Sequence, residues 1–262
     1  MNELLFEVAF TPADVKVKSA TVCVVIDVIR ASTTITQLLK KGSTEVVLTN
    51  DEQQTMQENP SYREDGTVIC AEQVSGDAAE RADFSPSLIE VEKVDVLGRR
   101  VVMRTTNGTV AAHKLQERGI EHIFIGCMNN AKAVMQEAVL LAKELETSIM
   151  IVSAGRHATE IAALDDAYCS AVLLEHGQQA AHVESLVPVI ADSGLIAGSL
   201  LLAYKNTEEA FLQSASGAVM YKIGCEADIF TCARVNTTDA VGKVSLSAGK
   251  IVIQKIKNRI YS

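Results

Sequence analysis

The chain has 262 residues, of which 48% are hydrophobic and 22% are charged. This length predicts one large domain or two small ones, and the composition excludes intrinsic disorder as the main state. The formal net charge of −9 argues against a nucleic-acid-binding protein, whose binding surface is normally basic. The charge does not exclude an anionic substrate, because a few arginines and backbone N–H groups can hold a phosphate in an acidic protein.

The sequence predicts a cytoplasmic protein that does not span a membrane. The first residues lack the basic region and the long apolar run of a signal peptide. The six cysteines are scattered singly, as expected for free thiols in a reducing compartment. The longest apolar stretch, residues 186–204, contains Pro188 and Asp192, so we expect a buried helix with a break. An apolar helical surface in this stretch is also compatible with a homodimer.

Short β-branched runs alternate with helical patterns along most of the chain. The predicted strands are residues 21–27, 45–48, 67–70, 100–104, 122–125 and 148–152. The predicted helices are 32–41, 51–58, 109–118, 131–146 and 164–176, followed by a mostly helical region, 183–224, and an antiparallel hairpin within 244–256. This alternation predicts a three-layer α/β fold, with a largely parallel sheet covered by helices on both faces, a helical block and a C-terminal β-hairpin. We expect one unit over residues 1–262, the alternative being two lobes, 1–118 and 119–262, that share one cleft.

Polar residues follow the first predicted strand, where a parallel sheet usually binds its ligand. Asp27 ends the strand, and Arg30 precedes a helix start that contains Ser32 and Thr33. An arginine beside a helix N-terminus can hold a phosphate or sulfonate, and Asp27 can bind a divalent cation or attack phosphorus. The alternative is an ion pair between Asp27 and Arg30, with Ser32 as an ordinary helix cap.

Two later strand ends carry further polar motifs. The first is the turn that contains Thr106, Asn107, Gly108 and Thr109, whose hydroxyls and N–H groups can cradle an oxyanion; the alternative is a capped strand–helix turn. The second contains Gly155 and, at the next helix start, the pair Asp165–Asp166. These acids either bind Mg²⁺ or stabilise the helix dipole, and of the two we favour Asp166 as the ligand.

Five motifs in this order resemble the 2-phosphosulfolactate phosphatase family, often called ComB. The motifs are residues 27–34 (DVIRASTT), 105–109 (TTNGT), 153–155 (SAG), 165–169 (DDAYC) and 224–233 (GCEADIFTCA). Each motif is weak alone, but together they extend over most of the chain, from about residue 22 to 235.

The resemblance implies a Mg²⁺-dependent phosphatase that converts 2-phosphosulfolactate to sulfolactate and phosphate, a reaction of coenzyme M biosynthesis. The implied binding partner is this small anionic phosphorylated substrate. The implied catalytic residues are Asp27, Arg30 and Asp166, and the implied metal ligands are Asp27, Asp166 and Glu72. The implied substrate-binding residues are Ser32, Thr33, Thr106, Asn107, Gly108, Thr109 and Gly155.

The sequence is that of a divergent member, because several family runs are altered. Where the family has Gly-Glu-Arg, this chain has Ala71-Glu72-Gln73, and where the family has Gly-Asn-Ser-Pro, it has Asp83-Phe84-Ser85-Pro86. The usual Glu-Asp pair appears as Asp165-Asp166. An Arg and an Asn are therefore missing from the substrate loops. Two alternatives follow: a phosphatase of another phosphorylated hydroxy acid, and a module that binds anions without hydrolysing them.

Overall fold

The structure is a computed structural model, and it describes residues 2–16, 21–49, 66–73, 77–104, 108–156, 161–247, 249–257 and 259. Within these ranges the strands are β1 (Glu3–Ala9), β2 (Val22–Ile26), β3 (Glu45–Thr49), β4 (Val68–Ala71), β5 (Arg100–Arg104), β6 (His122–Gly126), β7 (Ile149–Ser153), β8 (Val187–Ile190), β9 (Gly242–Ser247) and β10 (Lys250–Lys255). The α-helices are α1 (Ala31–Lys40), α2 (Leu88–Lys93), α3 (Gly108–Glu117), α4 (Ala131–Glu144), α5 (Leu164–Val183), α6 (Asp192–Ala203), α7 (Thr207–Gln213), α8 (Ala215–Lys222) and α9 (Glu226–Cys232).

The alternating core of the fold agrees with the sequence prediction. The six predicted strands occur as β2 to β7, and four of the predicted helices occur as α1, α3, α4 and α5. The predicted helix at 51–58 lies outside the described residues. The sequence analysis missed β1, α2 and β8. Of these, α2 and β8 are short, with six and four residues.

All ten strands form one sheet, in the order β4-β5-β3-β10-β9-β6-β2-β7-β1-β8. Strands β4, β5 and β3 form one parallel block, and β6, β2, β7, β1 and β8 form another. The C-terminal hairpin β9–β10 lies between the blocks and pairs antiparallel with β6 and with β3. Three successive antiparallel pairings reverse the chain direction, so the two parallel blocks run in opposite senses.

Because of this reversal, the twist of the sheet is needed to bring the ends of β2 and β4 to the same site. In a flat sheet, two oppositely directed strands would end at opposite edges. Each strand of a real sheet is rotated by about 20–25° from its neighbour, and six steps separate β2 from β4, which gives about 120–150°. The accumulated twist therefore offsets most of the reversal, and the residues after both strands contact each other, as described below.

Two buried apolar clusters lie on the two faces of the sheet. Alternate residues of β2 divide between them: Val22, Val24 and Ile26 belong to one cluster, whereas Cys23 and Val25 belong to the other. The first cluster includes residues of α4, α5 and α9, and the second includes residues of α1 and α3. Helices thus cover both faces of the sheet, which confirms the predicted three-layer α/β architecture.

The prediction of a buried helix over residues 186–204 is wrong. The stretch forms the edge strand β8 followed by α6, and much of both elements is exposed to solvent. Pro188 is accommodated in β8 because an edge strand tolerates a residue without an N–H donor. Among the described residues, no helix has the combined length and apolar character that crossing a bilayer requires.

Gly177 tests the packing between α5 and the sheet. A Cβ at this position would lie 2.7 Å from Cε1 of Phe6 and 2.8 Å from Cε of Met135. We expect Gly177→Val to lower the free energy of unfolding by about 1–3 kcal/mol, because overpacking forces buried neighbours to shift. Gln179→Val places the same side chain at an exposed position of this helix and serves as the control in urea unfolding. Equal losses in the two variants would contradict the prediction.

Candidate active site

The turn after β2 is organised by hydroxyl groups that bond to its own backbone. The Ser32 hydroxyl donates to the Asp27 carbonyl at 2.9 Å and accepts from the Asp27 N–H at 3.2 Å. The Thr33 hydroxyl donates to the Val28 carbonyl at 2.8 Å. Both side chains are buried. Ser32 and Thr33 therefore shape the turn that presents Asp27 and Arg30, and neither lines the cavity where the sequence analysis expected them.

Arg30 is buried between two carboxylates from distant parts of the chain. Its Nη2 donates to Oε2 of Glu72 at 2.5 Å, and its Nη1 donates to Oδ2 of Asp228 at 2.7 Å. The Arg30 side chain is only 3% exposed. Burial alone would lower its pKa, but the charges of Glu72 and Asp228 outweigh this effect and raise it. The positive charge of Arg30 is thus fixed and already matched by two acids.

Asp228 connects this ion pair to the helical block. Its Oδ1 accepts from the Ser87 hydroxyl at 3.1 Å and from the Leu88 N–H at 2.9 Å. The residue lies in α9, whereas Leu88 begins α2. One fully buried carboxylate therefore joins α2, α9 and the end of β2. The sequence analysis quoted Asp228 within a family motif but assigned it no role.

Asp166 joins the loops that follow two neighbouring strands. Its Oδ1 accepts from the Val28 N–H at 2.9 Å, after β2, and its Oδ2 accepts from the Gly155 N–H at 3.1 Å, after β7. Gly155 has a φ of +69°, and a Cβ there would lie 2.6 Å from the Ile161 carbonyl oxygen, so the position requires glycine. The sequence analysis assigned Gly155 to the substrate, and in the structure the backbone N–H of Gly155 donates to the Asp166 carboxylate.

Three carboxylates lie close together beneath the turn. Burial raises the pKa of Asp166 well above its ordinary value, and the neighbouring Asp165 and Asp27 raise it further. Burial also raises the pKa of Asp165 to about 6, although a hydrogen bond from the Ser216 hydroxyl at 3.1 Å acts in the opposite direction. Burial is therefore the largest cause of both shifts, and the charge of the Arg156 guanidinium, like the Ser216 hydroxyl, acts to lower the pKa of Asp165.

A cavity of about 180 Å³ opens beside these groups. Its charged lining residues are Asp27, Arg30, Glu72 and Arg156, and α8 contributes Ser216, Val219 and Met220. Of the residues proposed from the sequence, the structure thus brings Asp27, Arg30 and Glu72 to one wall. Asp166 is bonded to the backbone next to Asp27 and is not among the lining residues.

Arg156 is the cavity residue that the sequence analysis missed. It follows the Ser153-Ala154-Gly155 motif directly and is half-buried. Within the described ranges, its guanidinium makes neither a hydrogen bond nor an ion pair, so its five donors face no fixed acceptor. The position beside a strand-end motif could have identified Arg156, whereas the contribution of α8 has no signal in the sequence.

The second sequence motif can be placed only in part. Thr106 and Asn107 lie outside the described residues, and Gly108 and Thr109 form the first turn of α3. The preceding residue Arg104 is near the cavity, because its Nη2 lies 3.4 Å from the Glu72 carbonyl oxygen.

The charged residues of the cavity fit a magnesium ion that is held mainly by substrate and water. Mg²⁺ usually binds one or two carboxylates and keeps several waters. Asp27 and Glu72 both line the cavity and meet this requirement. Over the described ranges, no three or more His, Cys, Asp or Glu side chains are grouped so that they could hold a metal ion together.

Removing Asp228 tests the buried ion pair. We expect Asp228→Ala to lower the free energy of unfolding by about 3–5 kcal/mol, because Arg30 loses a partner that it cannot replace with water. Glu184→Ala is the control, since Glu184 pairs with Lys143 at an exposed position, where such pairs contribute at most about 1 kcal/mol. Urea unfolding of both variants measures the difference, and a loss below 1 kcal/mol for Asp228→Ala would contradict this account of the site.

Asp165 gives a prediction about pH. The ordinary pKa of the Asp165 carboxyl is 3.8, and its pKa in the folded protein is about 6. The folded state therefore binds this proton more tightly than the unfolded state does. The free energy of unfolding falls as the pH rises between these two values. Asp165→Asn keeps an acceptor for Ser216 and does not titrate. We expect this variant to melt at a higher temperature than the natural chain at pH 8 in EDTA, and the gain to shrink at pH 4. An equal gain at both pH values would contradict the prediction.

Known proteins resemble this chain over most of its length. The family described as 2-phosphosulpholactate phosphatase matches residues 9–246. A probable 2-phosphosulfolactate phosphatase of Thermus thermophilus is 33% identical over 235 residues, which cover 89% of this chain and 92% of the relative. One of Deinococcus radiodurans is 31% identical over 217 residues, 83% of this chain and 85% of the relative. The chain therefore belongs to the 2-phosphosulpholactate phosphatase family.

Proposed function

We propose that this protein is a Mg²⁺-dependent phosphatase that hydrolyses 2-phosphosulfolactate to sulfolactate and phosphate. The observation that carries the proposal is the cavity where Arg30 and Arg156 lie with the carboxylates of Asp27 and Glu72. The family assignment supports the reaction class, and the relatives bear the name of this activity. A cytoplasmic location, a role in coenzyme M biosynthesis and the absence of nucleic-acid partners are parts of the same proposal.

The charges of the cavity support a requirement for a divalent cation. Two carboxylates and two arginines line the cavity, so their charges balance. Arg30 is also paired with Asp228, a third carboxylate. The substrate brings a phosphate, a sulfonate and a carboxylate, so the site needs positive charge beyond that of its arginines. Asp27 and Glu72 would hold Mg²⁺, which when bound would neutralise phosphoryl oxygens and lower the pKa of a bound water.

The protein residues have separate roles in this proposal. Arg156 binds one anionic group of the substrate, since its guanidinium has no acceptor within the described protein. Arg30 keeps N–H donors besides the two that its carboxylate partners use, and it stabilises the negative charge that develops on the phosphoryl group. Asp166 holds the loops after β2 and β7 together and thereby positions Asp27.

Whether Asp27 attacks phosphorus or assists a water is a separate part of the proposal. The sequence lacks a second Asp two residues after Asp27, so it does not match phosphatases that use an aspartyl nucleophile in an Asp-x-Asp motif. We propose an attacking water. Hydrolysis in labelled water of a substrate whose phosphoryl group is made chiral with isotopes of oxygen and with sulfur is expected to invert the configuration at phosphorus, because water displaces the leaving group in one step. Net retention, from two displacements through a phosphorylated Asp27, would contradict this step.

An altered loop favours a second candidate substrate. Gln73 stands where the family motif has an arginine, and its side chain donates to the Ala78 carbonyl at 3.0 Å in an exposed position. In this chain the cavity holds Arg30 and Arg156, and Gln73 adds no charge to it. A loop without the arginine of the family motif suits another phosphorylated hydroxy acid with a different spacing between its anionic groups, and a substrate panel decides between the candidates.

The test measures phosphate release by the purified protein with 2-phosphosulfolactate. We expect activity with Mg²⁺, loss of activity in EDTA and its return when Mg²⁺ is restored. Asp27→Asn is expected to lower kcat by about 10²–10³-fold, as when an electrostatic group of an active site is removed. Arg156→Ala is expected to raise KM by about tenfold, a loss of about 1.4 kcal/mol of substrate binding.

Arg100→Ala is the matched control, because it removes an exposed arginine whose partner is Glu45 and which does not line the cavity. Its kinetic constants are expected to change less than twofold. Full activity in EDTA would contradict the metal requirement. Tight binding of sulfolactate without hydrolysis of any phosphoester in the panel would favour an anion-binding module instead.

A further inference from the structure

Helix α8 presents one mainly apolar face to the cavity. Ser216, Val219 and Met220 line the cavity, and their spacing of three and four residues places them on one face of the helix. Val219 is 39% exposed and Met220 is 6% exposed, so Met220 lies deeper in the protein than Val219. The charged groups that have roles in the proposed reaction all come from other elements. The reaction itself therefore does not account for the α8 face.

The start of α8 is fixed against the end of α7 by a tight turn. The Ser214 hydroxyl accepts from the Gly217 N–H at 2.9 Å and donates to the Phe211 carbonyl at 2.8 Å. A Cβ on Gly217 would overlap the same carbonyl oxygen, so the close approach of the two helices requires glycine here. Ser214 and Phe211 are both buried. The protein itself therefore defines the position of α8.

The acidic pair at the start of α5 connects the α8 face to the groups of the proposed reaction. The Ser216 hydroxyl donates to Oδ1 of Asp165 at 3.1 Å. The adjacent Asp166 accepts from the Val28 N–H and thereby holds the turn that presents Asp27. Both carboxylates of the pair are buried. Two successive residues of one helix thus hold α8 and the turn after β2, which fixes the separation between these two sides of the cavity.

The space between these sides is small. The cavity measures about 180 Å³, which is close to the volume of an engineered protein cavity of about 150 Å³ that binds benzene. Pockets for drug-sized ligands are larger, at about 300–1,000 Å³. A phosphate on a short carbon skeleton fits the smaller volume. Each further methylene of the skeleton must displace a protein side chain or extend into solvent.

We propose that Val219 and Met220 determine substrate size, and that they limit the site to phosphate esters of hydroxy acids whose carbon skeleton is no longer than that of sulfolactate. This inference rests on the proposed function and assigns a role to the apolar side of the same site. The anionic groups of the substrate bind the arginines and the metal ion, and its carbon atoms contact α8. Selection is by size, because the side chains of Val219 and Met220 offer no strong hydrogen bond. A single methylene in an apolar pocket changes kcat/KM by about 10–200-fold.

Calorimetric titration of the full chain with non-hydrolysable phosphonates, in the presence of Mg²⁺, tests the proposal. The probes are 2-(phosphonomethyl)alkanoates, in which a methylene replaces the ester oxygen and the alkyl group grows from methyl to butyl. We expect the natural chain to bind the butyl probe at least about tenfold more weakly than the methyl probe. Met220→Ala is expected to bind the butyl probe at least about tenfold more tightly than the natural chain does, because the truncated side chain leaves space in the cavity.

Val219→Phe is the second variant, and it keeps the test decisive if Met220→Ala does not fold, because Val219 is an exposed residue. The larger side chain narrows the cavity, so we expect weaker binding of every probe and the greatest loss for the butyl probe. A melting temperature near that of the natural chain verifies that each variant is folded.

Tyr221→Ala is the matched control, because Tyr221 follows Met220 in the same helix, is exposed and does not line the cavity. Its affinities are expected to stay within twofold of those of the natural chain. Equal binding of all probes by the natural chain, no binding of any probe, or a Val219→Phe variant that matches the natural chain would overturn the proposal. Binding in the expected order without phosphate release from any phosphoester would contradict the proposed function and support this inference.

Discussion

The buried guanidinium of Arg30 is the interaction on which the site depends. Its partners, Glu72 and Asp228, are 42 and 198 residues away in the chain, and Asp228 also bonds to the start of α2. One side chain thus joins the turn after β2, the segment after β4 and the helical block. Because an unpaired arginine cannot stay buried, the three segments must assemble together. Their assembly forms the cavity.

The turn after β2 and the segment after β4 belong to parallel blocks that run in opposite senses. Most doubly wound sheets bring their ligand-binding loops to one edge by keeping all strands parallel. In this protein the hairpin β9–β10 separates two parallel blocks of opposite sense, and the twist of the sheet brings the end of β4 back toward the end of β2. No described residue of the C-terminal hairpin lines the cavity, yet the pairing of the hairpin with β6 and with β3 sets the relative direction of the two parallel blocks.

Local sequence patterns predicted the elements of the fold and the residues at the ends of strands. Asp27 and Arg30 were identified in this way, Glu72 was implied by the family resemblance, and all three line one cavity. The role of Asp228 could not be predicted, because it depends on a contact across 198 residues. The resemblance implied that Ser32 and Thr33 bind the substrate, whereas in the fold their hydroxyls bond to the turn itself. The apolar composition of residues 186–204 predicted a buried helix, but apolar residues on all sides of a helix do not reveal which side is buried.

A crystal structure of the protein with Mg²⁺ and sulfolactate tests the central claim most directly. The account predicts that sulfolactate occupies the cavity between Arg30 and Arg156, with the metal ion on the carboxylates of Asp27 and Glu72. Sulfolactate bound outside this cavity, or a metal ion held by residues that do not line it, would contradict the account.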